Sequence, residues 1–150
     1  MAIEIRGTGD TMRTFRNIEK FLQSKKPMTA IAKEVKETIL KKTEKGHDYM
    51  GRRFEPYSEA YAKRKKKKTV NLKDSGKMLK AITTKVVTPS HGRVYIKFAG
   101  SPNRQIIANI HNTGTGKMPE REFMNLSDSA IKKLAKKHYD DPIMKILGRK

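Results

Sequence analysis

The chain has 150 residues, no cysteine and a formal net charge of +20, from 35 Lys and Arg against 15 Asp and Glu. This length suits one domain with a modest core, and the lack of cysteine excludes a disulfide, a thiolate nucleophile and a zinc–thiolate site. The N-terminus lacks the basic-then-apolar order of a secretory signal, and no apolar run approaches the ~20 residues of a membrane span. We therefore expect no membrane contact.

Residues 1–27 are predicted to form an N-terminal arm with a short strand and a helix. Apolar and charged residues alternate over residues 3–5, as in a strand that ends at Gly7. A helix capped by Asp10 or Thr11 follows. Its apolar residues share one face: Met12, Phe15, Ile18, Phe21 and Leu22.

The predicted domain spans residues 28–140 and begins with a long helix. Apolar residues recur at three- and four-residue steps up to Ile39, and Gly46 marks the helix end. The polar stretch that follows, about residues 51–71, lacks an apolar stripe. We expect it to be a long loop with one helical turn around residues 58–62.

Six consecutive basic residues occupy this loop: Lys63, Arg64, Lys65, Lys66, Lys67 and Lys68. Like charges in sequence repel one another, so we expect the segment to be mobile until an anionic partner orders it. That partner would be DNA or an acidic protein surface. The alternative is a solvated loop that serves solubility alone. Lysine outnumbers arginine, which favours attraction to phosphates over the reading of bases.

A short helix and a β-hairpin are predicted next. Asp74 or Ser75 caps the helix, and two strands over residues 83–87 and 93–98 form the hairpin. One face of the second strand carries its apolar side chains: Val94, Ile96 and Phe98. Gly76 and Gly114 are expected at backbone positions with positive φ.

Two further helices complete the prediction. The first, over residues 103–111, has an apolar side made of Ile106, Ile107 and Ile110. The second is capped by Asp128 and ends near Tyr139 and Pro142, and residues 141–150 form a basic tail that frays. Helices packed on a short antiparallel sheet, with a long basic loop and flexible termini, make this a single α+β domain.

No constellation of residues indicates catalysis or a cofactor. The four histidines stand far apart, and none belongs to a pair with metal-ligand spacing. Residues 114–117 resemble a phosphate-binding loop only in part, because His111 stands where its first glycine belongs and Met118 replaces the Ser or Thr that binds magnesium. We therefore predict a protein that is not an enzyme and uses no metal or cofactor.

The order of four segments resembles the phage virion-morphogenesis proteins typified by the Mu G protein, which are also called tail-completion or neck proteins. An aromatic–proline pattern precedes a Leu–x–x–Ser–Gly segment, an Ile–His–x–x–Gly turn and a Pro–x–Arg–x–Phe element. These are Phe54-Glu55-Pro56-Tyr57-Ser58, Leu72 to Leu79, Ile107 to Gly114, and Pro119 to Ser127. The likeness covers about residues 28–138.

The resemblance implies a structural protein that completes the phage tail or the head–tail junction, made in the cytoplasm of a bacterial host and located at the neck or tail end of the virion. It implies a ring, expected to be a hexamer, that contacts neighbouring neck, connector or tail-terminator proteins. The basic loop would then face packaged DNA or an acidic surface on a neighbouring ring. The rival hypothesis, an accessory protein that binds nucleic acid without sequence preference, rests on charge alone.

Three residues of the last segment are candidates for a subunit interface. Arg121 lies between two glutamates, which suits an ion pair between subunits or within its own loop, and Phe123 and Met124 offer an apolar anchor. The alternative is that Arg121 holds its own loop while Phe123 fills the core.

Overall fold

A computed structural model describes residues 8–66, 69–97 and 103–148 of the chain. The strand predicted over residues 3–5, and Phe98, lie outside these ranges. In chain order the elements are α1 (Thr8–Gln23), α2 (Lys26–Glu44), α3 (Glu59–Lys65), α4 (Lys77–Lys80), β1 (Ile82–Thr88), β2 (His91–Ile96), α5 (Asn103–Thr113), α6 (Asp128–Ala135), a π-helical turn (Lys136–Asp140) and α7 (Asp141–Ile146). The predicted α+β class is confirmed.

The predicted hairpin is the antiparallel pair β1–β2. Ile82 is paired with Ile96, and Thr84 with Val94. Ile82 and Ile96 are only 1% and 4% exposed and belong to the same core as Ile39 of α2. Helix α2 packs across both strands. Alternating side chains on a strand point to opposite faces, so this register turns the apolar face of the hairpin towards α2.

The core draws heavily on the region between α2 and β1. Its buried members are Ile39, Phe54, Val70, Leu72, Met78, Ile82, Ile96, Ala108 and Phe123. Phe54 and Val70 belong to the segment predicted as a long loop and Leu72 follows it directly, so both ends of this segment are held by burial of apolar surface. The helix within it, α3, extends past the predicted turn at residues 58–62.

Helix α5 buries a different residue from those predicted. Ala108 is 3% exposed, whereas Ile106 and Ile107 are 55% and 45% exposed. The helix contacts β2 and α4, and the small side chain of Ala108 lets its backbone approach them closely. Two isoleucines therefore remain on the surface of α5, and Ile110 is half-buried.

The last helix continues past its predicted end near Tyr139 and Pro142. The π-helical turn leads directly into α7, and Pro142 is in the first turn of α7, where the missing N–H has no intrahelical partner to lose. Tyr139 Oη donates a hydrogen bond of 2.7 Å to Pro89 O. Lys137 Nζ lies 2.5 Å from Glu34 Oε1 on α2. These contacts hold Lys137 and Tyr139 against the rest of the fold, next to the segment that was predicted to fray.

The helix caps of α4 and α6 also differ from prediction. Gly76, with φ of +74°, is the N-cap of α4. Ser127 caps α6, and its Oγ accepts a hydrogen bond from Ala130 N. Asp128 is then in the first turn of the helix, where a carboxylate interacts favourably with the helix dipole.

Gly114 ends α5 in a left-handed conformation with a crowded neighbour. Its φ is +67°, and a Cβ there would lie 2.9 Å from Glu120 N, whereas Gly116, at φ +59°, has nothing within 4 Å of such a Cβ. We expect Gly114→Ala to lower the free energy of unfolding by about 2–3 kcal/mol and Gly116→Ala by about 1 kcal/mol, measured by urea denaturation. Equal losses would mean that positive φ alone requires glycine at 114.

Candidate interaction sites

The predicted anionic-partner segment begins as the last turn of a helix. Lys63, Arg64 and Lys65 end α3, and Lys66 caps it in the left-handed region with φ of +52°. Lys63, Arg64 and Lys66 are exposed, whereas Lys65 is half-buried. Lys67 and Lys68 lie outside the described residues. The first three residues of the run are therefore helical where a loop was predicted, and the predicted mobility of the segment stays a prediction.

Two tyrosines hold this basic turn, which sequence reasoning missed. Lys65 Nζ donates to Tyr57 Oη at 2.8 Å and to Asn71 Oδ1 at 2.9 Å. The guanidinium of Arg64 lies over the ring of Tyr61, 4.8 Å from its centroid. The rings of Tyr57 and Tyr61 meet edge to face at 4.8 Å. The spacing of Tyr61 and Arg64 was the available signal, because residues three apart on a helix are neighbours, whereas Tyr57 precedes α3 and carried no such signal.

Arg121 is buried inside its own chain, at 2% exposure. Its Nε donates to Glu55 O and its Nη2 to Pro56 O, both at 2.9 Å, and its guanidinium carbon lies 5.3 Å from the centroid of the Tyr57 ring. Burial lowers the pKa of Arg121 from its ordinary value, but that value is so high that the side chain stays cationic at neutral pH. Its buried Nη1 has no hydrogen-bond partner among the described residues.

The other two candidates for a subunit interface lie beside Arg121. Phe123, also 2% exposed, is a core residue, and the backbone N–H groups of Phe123 and Met124 both donate to Asn112 Oδ1, at 3.1 and 2.9 Å. Arg121 thus holds its own loop and Phe123 fills the core, and neither offers surface to a second subunit. Met124 is partly buried against the core, and its role in a subunit contact stays a prediction.

A groove of about 540 Å³ opens beside Arg121, between α3, α4 and α5. We call it the Arg121 groove. Large apolar and aromatic side chains line it: Tyr57, Tyr61, Leu72, Met78, Ile107 and Met118. Its charged lining residues besides Arg121 are Lys77, Arg104 and Lys117, with Asp74 as the one carboxylate among them.

His111 also lines the Arg121 groove. Burial lowers the pKa of His111, and the nearby cations Arg121 and Lys65 lower it further, so the imidazole is neutral near pH 7. Its buried Nδ1 has no partner among the described residues. The backbone carbonyl of His111 accepts a hydrogen bond of 2.7 Å from Arg121 N, which joins the end of α5 to the loop that carries Arg121.

Helix α1 has an apolar face that the fold covers only in part. Ile18 and Phe21 are half-buried, and the ring of Phe21 meets that of Tyr139 at an edge, with centroids 6.2 Å apart. Met12, Phe15 and Leu22 are 53%, 61% and 45% exposed. Large apolar side chains grouped on one exposed helix face are typical of a surface that binds another protein.

Neither a membrane-spanning helix nor a metal cluster is found in the described ranges. None of their helices is both long and apolar enough to cross a lipid bilayer. Within the same residues, no three or more His, Cys, Asp or Glu side chains are grouped so that they could hold a metal ion.

Comparison with known proteins identifies a family. The sequence model of the phage virion morphogenesis family matches residues 12–139 of this chain. The match begins within α1 and ends within the π-helical turn, so it includes the Arg121 groove and the whole apolar face of α1. No curated protein and no solved structure is significantly similar. The family resemblance predicted from the ordered segments is confirmed.

Proposed function

Because the chain belongs to the phage virion morphogenesis family, and so takes part in the structural assembly of a phage particle, we propose that it completes the tail or the head–tail junction as the subunit of a ring. In this proposal the protein is located at the neck or tail end of the virion. The observation that carries the proposal is the exposed apolar face of α1.

A ring requires a contact in which one surface of a subunit binds a different surface of the next. The apolar face of α1 is suited to such a contact, because Met12, Phe15 and Leu22 are exposed on it. The other apolar residues of the same face pack against the rest of the chain. A net charge of +20 opposes self-association. We therefore expect the purified protein to be monomeric or weakly associated, and the ring to form on an acidic neighbour in the virion.

Complementation of a phage lacking this gene tests the role of α1. The double variant Phe15→Ala/Leu22→Ala is expected to lower the yield of joined, infectious particles at least tenfold. The control Met50→Ala/Val87→Ala removes exposed apolar side chains elsewhere, since Met50 and Val87 are 56% and 44% exposed, and it should complement like the natural protein. Equal yields from both double variants would contradict a subunit contact through α1.

The second candidate, non-specific binding of nucleic acid, is supported by the ordered basic turn at the end of α3. Changing Lys63, Arg64 and Lys66 to Glu should weaken binding of duplex DNA at least tenfold at low salt, because fewer phosphate contacts release fewer counterions. The slope of log K against log salt should become shallower by about 2–3. Binding by fluorescence anisotropy over a range of salt concentrations measures both.

A matched control reverses three exposed lysines elsewhere: Lys132, Lys133 and Lys145. It changes the net charge equally, so a similar loss of DNA binding would show that total charge, not the α3 turn, attracts DNA. If the α3 variant loses DNA binding yet still joins heads and tails, the accessory-protein hypothesis fails for this phage function.

A further inference from the structure

We propose that the Arg121 groove is a docking site for a peptide segment of a partner protein, in which one large apolar side chain is flanked by carboxylates. The inference deepens the proposed assembly role and rests on it for one point, that the partner is another protein of the virion. The chemistry of the site itself is read from the side chains that line the groove.

The groove is suited to an apolar anchor. Its volume of about 540 Å³ is within the range of roughly 300–1,000 Å³ that bound ligands occupy in proteins. Tyr57 and Tyr61, fixed against one another and against the basic turn, make one rigid wall. On the other side Ile107 and Met118 are 45% and 42% exposed, so large apolar side chains face the groove without being used by the core.

The charged lining residues select an acidic partner. Three cations line the groove, Lys77, Arg104 and Lys117, whereas Asp74 is the one carboxylate in the lining. Arg121 adds a buried positive charge to the groove wall, with Nε and Nη2 donating to backbone carbonyls and Nη1 itself buried. Guanidinium and ammonium groups pair strongly with carboxylates where water is partly excluded.

Other occupants match the groove less well. A second copy of this chain carries the same charge of +20, and its exposed apolar helix α1 contributes Arg13, Arg16 and Lys20 against two acidic residues, so cations would meet cations. Nucleic acid would satisfy the lysines, but its phosphates would leave the large apolar side chains Leu72, Ile107 and Met118 without an apolar partner. An apolar side chain with acidic neighbours satisfies both the walls and the charges.

Fluorescence anisotropy with labelled nine-residue peptides tests the proposal on the full chain. The first peptide places Phe or Leu at its centre between aspartates. A second replaces the central residue by Ala, and a third replaces the aspartates by Lys. At near-physiological salt we expect the first peptide to bind with micromolar Kd and the other two to bind at least tenfold more weakly.

Matched variants locate the binding site. Ile107→Ala and Lys117→Glu should each weaken the first peptide about tenfold. Ile106→Ala, on the same helix and 55% exposed but outside the groove lining, should leave its Kd unchanged, as should Lys132→Glu on α6. Because Ile106 and Ile107 are both exposed, neither variant should alter the fold, and circular dichroism checks this.

Four results would overturn the proposal. The first two are a lack of saturable binding of the first peptide and equal weakening of that binding by Ile106→Ala and Ile107→Ala. The other two are displacement of the peptide by single-stranded DNA at matched ionic strength and, in sedimentation, an oligomer of the natural chain that Ile107→Ala abolishes. The last two would assign the groove to nucleic acid or to a second copy. Failure of peptide binding leaves the junction role intact, because that role is measured by particle assembly. If the chain binds the peptide but particles assemble normally without it, the proposed function is refuted and the peptide-docking proposal is not.

Discussion

Replacement of Phe123 by alanine is expected to lower the free energy of unfolding by about 3–5 kcal/mol, the usual cost of removing a buried phenylalanine ring. Phe123 is 2% exposed and is among the largest fully buried side chains. Its ring belongs to the cluster that joins α2, the hairpin and α5. The loop around it cannot readily collapse into the cavity, because the N–H groups of Phe123 and Met124 are both held by Asn112. Urea denaturation followed by circular dichroism measures the loss.

Phe15 supplies the matched control, since the same substitution removes a ring that is 61% exposed. We expect Phe15→Ala to change the free energy of unfolding by less than about 1 kcal/mol. The two variants should therefore differ in stability: Phe123→Ala lowers the free energy of unfolding, whereas Phe15→Ala leaves it nearly unchanged. A loss below about 1 kcal/mol for Phe123→Ala would contradict its place in the core.

The second large effect is expected at Arg121. Arg121→Met keeps much of the side-chain volume but removes the donors to Glu55 O and Pro56 O, and charge-assisted hydrogen bonds contribute about 1.5–3 kcal/mol each. Since both carbonyls belong to exposed residues, water can replace part of this loss. We therefore expect a decrease in the free energy of unfolding of about 2–4 kcal/mol.

Two further variants show what the guanidinium contributes. Arg121→Lys should recover only part of the loss, because one ammonium cannot serve both carbonyls and also lie over Tyr57 in the same way. Arg64→Met is the control: Arg64 also stacks on a tyrosine, at 4.8 Å, but it is exposed and should lose less than about 1 kcal/mol. Similar losses for Arg121→Met and Arg64→Met would mean that burial of Arg121 adds nothing to the fold.

Regular periodicity explains which parts of the fold were predictable. Apolar residues at three- and four-residue steps predicted α1 and α2, and alternation predicted the hairpin, because these patterns follow directly from helix and strand geometry. The buried side of α5 was not predictable in this way. Its packing depends on close approach at Ala108, a residue that carries no hydrophobic signal, whereas the isoleucines that carry the signal stay exposed.

The remaining differences come from long-range contacts. Like-charge repulsion predicted a loop after residue 62, but α3 continues to Lys65, whose Nζ donates to Tyr57 and Asn71 on either side along the chain. Pro142 predicted a helix end, yet a proline in the first turn of a new helix is tolerated. For Arg121 the sequence left two alternatives, and only burial against Glu55 and Pro56, more than sixty residues away, distinguishes them.

The central claim, that this member of the phage virion morphogenesis family completes the tail or the head–tail junction, is tested most directly by electron microscopy of a lysate from the phage with this gene disrupted. The account predicts filled heads and finished tails that lie apart, or tails with incomplete ends, and joined particles once the protein is supplied in trans. Normally joined, infectious particles without the protein would contradict it.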